Sequence, residues 1–528
     1  MRPLLLTLFV TTLAGSCATT DWDAAGKNWW ANIQYLASDE LQGRNVGSPG
    51  YDKAADYVAA QFRQAGLEPA GIGGYFQPVE FTETSLDISK SSLALIDGGH
   101  TRHIEVPAEA QLGYSAHSAD SIQAPVVFAG FGLVIPEAHH DDLQGLSVKG
   151  AVVAFLTGGP SSIDGNLRSH YSSTEERWKA LRAAGAVGMI YIPNPNSMDI
   201  PWPRQAAARG MPRMSLADPK LQTTAGLQFS ATWNPEKADD LLAGSGHTFA
   251  QILDAADHQQ VLPHFALPSS VKATLSLSGR RVGSTNVVGR RPGIDRNRRD
   301  EYVVISAHLD HLGVGKPVNG DRICNGAMDD ASGVASLIEI AKSVSRENAA
   351  TTRSLVFLAV TGEEKGELGS IFYANHPTVK GRIVADLNMD MFLPLFPLKW
   401  LEVQGLNESS LGDDIRRVAG DAGVNVQADK EPNRNRFIRS DPYSFIKKGV
   451  PALAFKFGYI PGGEEEKIFQ AWYRDRYHGL SDDVSQPVDL AAAAQFNSIL
   501  RQLIVRVAMS PRPPAWKPDS FFIRFARN

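Results

Sequence analysis

Cysteine is nearly absent from this sequence: Cys17 and Cys324 are the two in 528 residues. With Cys17 committed to an N-terminal signal, Cys324 has no partner, so no disulfide is expected in the mature chain and its core must hold it together. Long apolar runs are missing after the first twenty residues. No later stretch offers eighteen uncharged apolar residues, so none is expected to cross a bilayer. Basic runs are missing too. The net charge is -5, from 52 Lys and Arg against 57 Asp and Glu. Short clusters such as "GRRPGIDRNRR" read as solvated turns, and nucleic acid is not the expected partner. There is no internal repeat and no low-complexity segment.

What is present starts with "MRPLLLTLFVTTLAGSCATT". One arginine precedes an apolar stretch ending in small residues, which is the pattern of an export signal over residues 1–17. Leu13 to Cys17 resemble a bacterial lipobox. That would leave Cys17 lipidated and the protein tethered to a membrane surface, in the periplasm or at the cell surface. A plain secretory signal cut nearby is the alternative.

The chain is longer than one core usually serves, so two domains, or one domain with a large insertion, are expected. "GYDKAADYVAAQFRQAG", residues 50–66, places Ala54, Val58 and Phe62 on one helical face, with Gly66 where a helix should stop. From 111 to 265 short strands and polar turns dominate. "STEERWKALRAAGAVGMIYIPNP" adds a capping signal, a helix, a glycine stop and a strand. Beyond that, long apolar runs alternate with helical patterns: "EYVVISAHLDHLG", "SGVASLIEIAKSV", "SLVFLAVTGEE", "RIVADLNMDMF" and "VPALAFKFGYI". Such alternation predicts an α/β fold with a mostly parallel central sheet flanked by helices.

In sheets of this kind reactive groups collect beyond the carboxyl ends of the strands. Here those ends carry His308 and Asp310, the Glu363–Glu364 pair and Asp390. Asp329 and Asp330 precede the helix of "DDASG", and "RYHGLSDD" supplies His478. Any one of these has a bland reading as a solvated acid or a helix cap. Gathered at one sheet edge, so many carboxylates repel one another unless cations join them. Nitrogen and oxygen donors without thiolates suit zinc first, then manganese or cobalt.

The motifs "HLD", "GAMDDASG", "GEE", "NMDM" and "YH", in this order and spacing, resemble the co-catalytic di-zinc exopeptidases, the family of bacterial leucyl aminopeptidases and glutamate carboxypeptidases. The "VVFAGFGLVI…HDDLQGLSVKGAVVAFL" region resembles the protease-associated (PA) domain that many members carry. The resemblance implies a zinc peptidase domain over 22–110 and 266–510, a smaller β-rich PA insertion over 111–265, and a C-terminal tail over 511–528. It also implies two zinc ions per chain. Asp329 would bridge them, with His308 and Asp390 on one and Glu364 and His478 on the other.

By the same resemblance Asp310 receives the second ring proton of the metal-bound histidine. Glu363 is the general base for the attacking water. Neighbours on an extended strand face opposite ways, so Glu364 is expected on a metal and Glu363 on the substrate side. Three positions depart from the family. Cys324 stands where relatives often have an aromatic and is expected to be packed. Pro442 stands where many have histidine. His311 is expected outside the ligand set, beside it or at the surface.

The function implied is an exported metallo-exopeptidase, an aminopeptidase acting on peptides. A glutaminyl cyclase-like enzyme with one zinc and a carboxypeptidase are the alternative enzymes, and a receptor-like module is the non-enzymatic one.

Overall fold

Four of the apolar runs named above lie side by side at the centre of a ten-stranded sheet. A computed structural model describes residues 21–198, 201–208, 212–346, 350–434 and 436–527. The expected signal segment 1–17 and Cys17 lie outside them. We label the main strands β1 (Phe76–Leu86), β2 (Leu277–Arg291), β3 (Glu301–His308), β4 (Ser354–Val360), β5 (Arg382–Asn388), β6 (Trp400–Gln404), β7 (Asn425–Ala428) and β8 (Ala452–Gly458). Across the sheet they run β1, β2, β4, β3, β5, β8, β6, β7.

The sheet is mixed rather than mostly parallel. β4, β3, β5 and β8 are parallel neighbours, as are β6 and β7, while β1 with β2, β2 with β4, and β8 with β6 are antiparallel. The continuous burial of β3 and β4 matches strands covered on both faces. The antiparallel flanks arise from long-range pairing that a local pattern does not carry.

Register decides where the chemistry falls. His308 is opposite Val360, and Ser306 is opposite Asn388. The residues just past β3, β4 and β5 therefore emerge at one edge. The helix expected over 50–66 spans Pro49–Gln64, capped by Ser48 Oγ, which accepts from Tyr51 N, with Ala54, Val58 and Phe62 fully buried. Helix Ser332–Arg346 buries Val334, Leu337, Ile338 and Ala341. Trp29, from helix Trp22–Leu36, donates its indole N–H to Ser332 O and Ser336 Oγ, both at 3.0 Å. Truncating a buried Trp of this kind typically costs about 3–5 kcal/mol.

A second, eight-stranded sheet interrupts the first. Its strands reach from Ser92–Asp97 to His264–Thr274, beyond both expected bounds of 111 and 265. The reason is that these two flanking strands pair with each other, Ser270 opposite Ile96. One strand of the insertion, Arg213–Leu216, leaves this sheet and extends the first one beside β1. Residues 511–528 are not a loose tail over their described part: Trp516 and Phe522 are buried, and the Trp516 indole donates to Gly449 O. No helix among the described residues is long and apolar enough to cross a membrane.

The insertion rests on the main sheet's domain through polar pairs. Glu175 meets Lys447 at 2.9 Å, and Asn166 donates to Glu408 at 2.6 Å. His170 Nδ1 is hydrogen-bonded to the Tyr443 hydroxyl. Burial holds the His170 ring down at about 4, against a smaller opposing pull from Glu176. The unfolded chain then takes up this proton first, near 6.5, so the stability His170 contributes is complete above that pH and is lost as pH falls toward about 4. His170→Gln keeps a polar side chain without titrating. Thermal unfolding midpoints should fall more steeply over this range in the wild type than in the variant; equal slopes would contradict the assignment.

Candidate metal centre

Six side chains from five segments meet at the edge where β3, β4 and β5 end: His308, Asp329, Glu363, Glu364, Asp390 and His478 all line one cavity of about 240 Å³. Asp329 stands in the middle. Its Oδ1 lies 3.1 Å from His308 Nε2, which is 3.7 Å from Asp390 Oδ1. Its Oδ2 lies 3.2 Å from His478 Nε2, which is 3.3 Å from Glu364 Oε2. One carboxylate thus faces two groups of donors.

His311, expected outside the ligand set, is fully buried inside it. Its Nδ1 is 2.7 Å from Glu364 Oε1 and 3.9 Å from Asp329 Oδ2. Two trios, His308–Asp329–Asp390 and His311–Asp329–Glu364, each bring one donor atom per residue within 4.8 Å of one another. Asp329 Oδ2, Glu364 Oε1, Asp390 Oδ1 and both ring nitrogens of His311 are buried without a hydrogen-bond partner. Orphaned donors and acceptors this close together are what a divalent cation would satisfy, and their nitrogen and oxygen character fits zinc.

The glutamate pair does not sit on a strand. β4 ends at Val360, Gly362 turns left-handed at φ 72°, and Glu363–Lys365 form one turn of 3-10 helix. Asp310 fastens that turn. Its Oδ1 and Oδ2 accept from the backbone N–H of Glu363 and Glu364 at 3.1 and 3.3 Å. The expected contact to the histidine ring is made by another atom, since His308 Nδ1 lies 3.1 Å from the Asp310 backbone carbonyl. A carbonyl only accepts, so Nδ1 carries the proton and Nε2 is left as the ligand atom.

Asp330 points away from Asp329, across a cis peptide bond, and ties three segments. It accepts from His308 N, Gly333 N and Met391 N. Gly333 must lack a side chain there, because a Cβ would lie 2.1 Å from Met389 O. Asp482 accepts from the backbone of Met328 and Asp329. Arg44, wholly buried, donates to the carbonyls of Leu36, Leu309, Asn325 and Gly326. Neither residue stood out in the sequence. Asp482 lies four residues past His478 in "HGLSDD", and nothing local marks Arg44.

Residues 286–504 match the family model of Peptidase family M28. That segment contains every donor named above, from His308 to His478. A probable zinc metalloprotease of Pyricularia oryzae is 38% identical over 108 residues, 20% of each chain, so this chain spans about a fifth of that relative's length. An aminopeptidase from Aneurinibacillus sp. strain AM-1 shares the fold across both sheets, with a TM-score of 0.55 and 19% identity over 94% of this chain and 97% of that one. BSAP, a zinc aminopeptidase from Bacillus subtilis, gives a TM-score of 0.48 at 18% identity, over 91% and 94% of the two chains.

Charge in the site is strongly polarised. Burial alone would push His308 and His478 down, but the carboxylates around them win: His308 is held well above its ordinary value and His478 at about 9. Burial would raise Asp329 and Glu364, yet the histidines hold both below the usual carboxylate range. Glu363 differs, because burial and then the charges of Glu364 and Asp390 push it well above that range. Cys324 takes no part in either trio, and burial raises its thiol to about 11. Pro442 is buried at the first turn of helix Pro442–Ile446 and offers no imidazole.

The framework holding the site is itself testable through Arg44. Replacing it with leucine strands four carbonyls, and hydrogen bonds to a charged donor contribute about 1.5–3 kcal/mol each. Arg44→Leu should lower the thermal midpoint by several degrees and weaken zinc retention; a variant as stable as the wild type would show that these bonds do not support the site.

Proposed function

We propose that this chain is a zinc-dependent aminopeptidase that uses two ions. The observation carrying this reading is Asp329, one carboxylate facing His308 and Asp390 on one side and Glu364, His478 and His311 on the other. Zinc held there supplies Lewis acidity and positive charge to offset an oxyanion. A count of bound zinc separates this reading from a single-zinc cyclase with a similar donor set.

The protein's own groups divide the remaining work. His308, with its proton held at Nδ1 by the Asp310 carbonyl, keeps Nε2 directed at the ion. Glu363 lines the cavity without belonging to either trio, and its raised basicity suits it to take a proton from water and pass it to the leaving amine. Asp310 sets where Glu363 sits by gripping its backbone N–H.

The choice of terminus rests on which wall charges are already engaged. Arg436 pairs with Glu431 at 2.9 Å, Lys456 donates to the carbonyls of Asp390 and Met391, and Arg439 donates to Arg434 O. Glu367 lines the same cavity outside both trios and suits a substrate ammonium. An N-terminal amine is the better match, as the name of the Aneurinibacillus aminopeptidase of this fold suggests.

We also propose that the insertion is a protease-associated domain bordering the substrate's path. Its support is a cavity of about 800 Å³ between insertion and main domain, which shares Gly366, Glu367 and Arg439 with the metal cavity.

Purified protein should release N-terminal residues from a peptide pool read by mass spectrometry, lose that activity to a chelator and regain it with zinc; release from the C-terminus would refute the reading. Glu363→Gln should lower turnover by about 10²–10⁴-fold while zinc content is unchanged, whereas Glu364→Gln should lower zinc content. Full turnover in Glu363→Gln would refute the assigned base.

A further inference from the structure

The tetrapeptide His308–Leu309–Asp310–His311 runs past the end of β3 with its two imidazoles on opposite sides of Asp329. We propose that it supplies one histidine to each ion: His308 to the first, and His311 as a fourth protein ligand to the second, closing that site.

Distances support a ligand rather than a bystander. Two donors bound at about 2.0–2.1 Å to one tetrahedral zinc lie about 3.3 Å apart. Around the second position the separations straddle that value: His478 to Asp329 3.2 Å, His478 to Glu364 3.3 Å, His311 to Glu364 2.7 Å and His311 to Asp329 3.9 Å. At 2.7 Å His311 Nδ1 and Glu364 Oε1 are close, yet neither atom has an aligned hydrogen bond there. A ring nitrogen of a fully buried side chain, close to two carboxylate oxygens and poorly aligned to donate to either, is what a shared cation resolves.

The consequence is an asymmetric pair. Asp329, Glu364, His478 and His311 give the second ion four protein ligands, the number of a closed, structural zinc site. Asp329, His308 and Asp390 give the first ion three, the number that leaves a place for reacting groups. The second ion is then the tighter one, and a limiting chelator strips the first ahead of it.

This inference rests on the two-zinc reading, and two measurements on the zinc-loaded full chain test it. A crystal structure should place His311 Nδ1 about 2.0–2.1 Å from the ion beside Glu364, a distance that separates a ligand from a residue acting through Glu364. In competition with a chromophoric chelator, His311→Ala should weaken the tighter ion at least about tenfold and leave the other nearly unchanged. Two bound ions with the His311 ring beyond about 3 Å of both would overturn the inference while the two-zinc reading stands. So would a variant with both affinities unchanged. A wild-type chain that binds a single ion would overturn the two-zinc reading itself.

Discussion

A single buried carboxylate, that of Asp329, lies between two sets of imidazole and carboxylate donors, and the surrounding loops converge on keeping it there. Its backbone N–H is held by Asp482, the loop before it is laced to Arg44, and its neighbour Asp330 ties its own loop to the segments of His308 and Met391. Burying unpaired charges costs several kcal/mol each. A site with orphaned oxygens on Asp329, Glu364 and Asp390 is therefore a framework for cations. The geometry and the charge distribution express one constraint.

That constraint is met by the sheet before any side chain chemistry enters. Because β3, β4 and β5 run parallel and in register, the loops leaving their carboxyl ends emerge at the same edge. Glycines then permit the sharp departures: Gly362 turns left-handed so that Glu363 and Glu364 sit on a tight turn, and Gly333 lets the Ser332 helix start against Met389. The core beneath contributes most of the stability, and the polar clamps decide where a few atoms sit.

Much of this was legible in the sequence because it is local. The apolar runs ending in acids or histidine marked β3, β4 and β5, and the residues singled out there do share one cavity. The amphipathic helix near 50–66 was readable from its period. What was not legible depends on partners distant in the chain. The antiparallel flanks of the sheet, and the pairing of 92–97 with 264–274 that widens the insertion, are long-range. The atom of Asp310 that meets His308 is the carbonyl and not the carboxylate, because the carboxylate is taken by a turn more than fifty residues away. His311 looked peripheral since its proximity to Glu364 exists only in three dimensions.

The central claim is that Asp329 is shared by two ions, and metal content read by mass spectrometry under non-denaturing conditions tests it most directly. Two zinc ions are expected on the wild-type chain and fewer on Asp329→Ala, with the ion beside His308 and Asp390 lost first because only two protein ligands remain to it. One zinc on the wild type, or a folded Asp329→Ala chain that keeps its full complement, would contradict it.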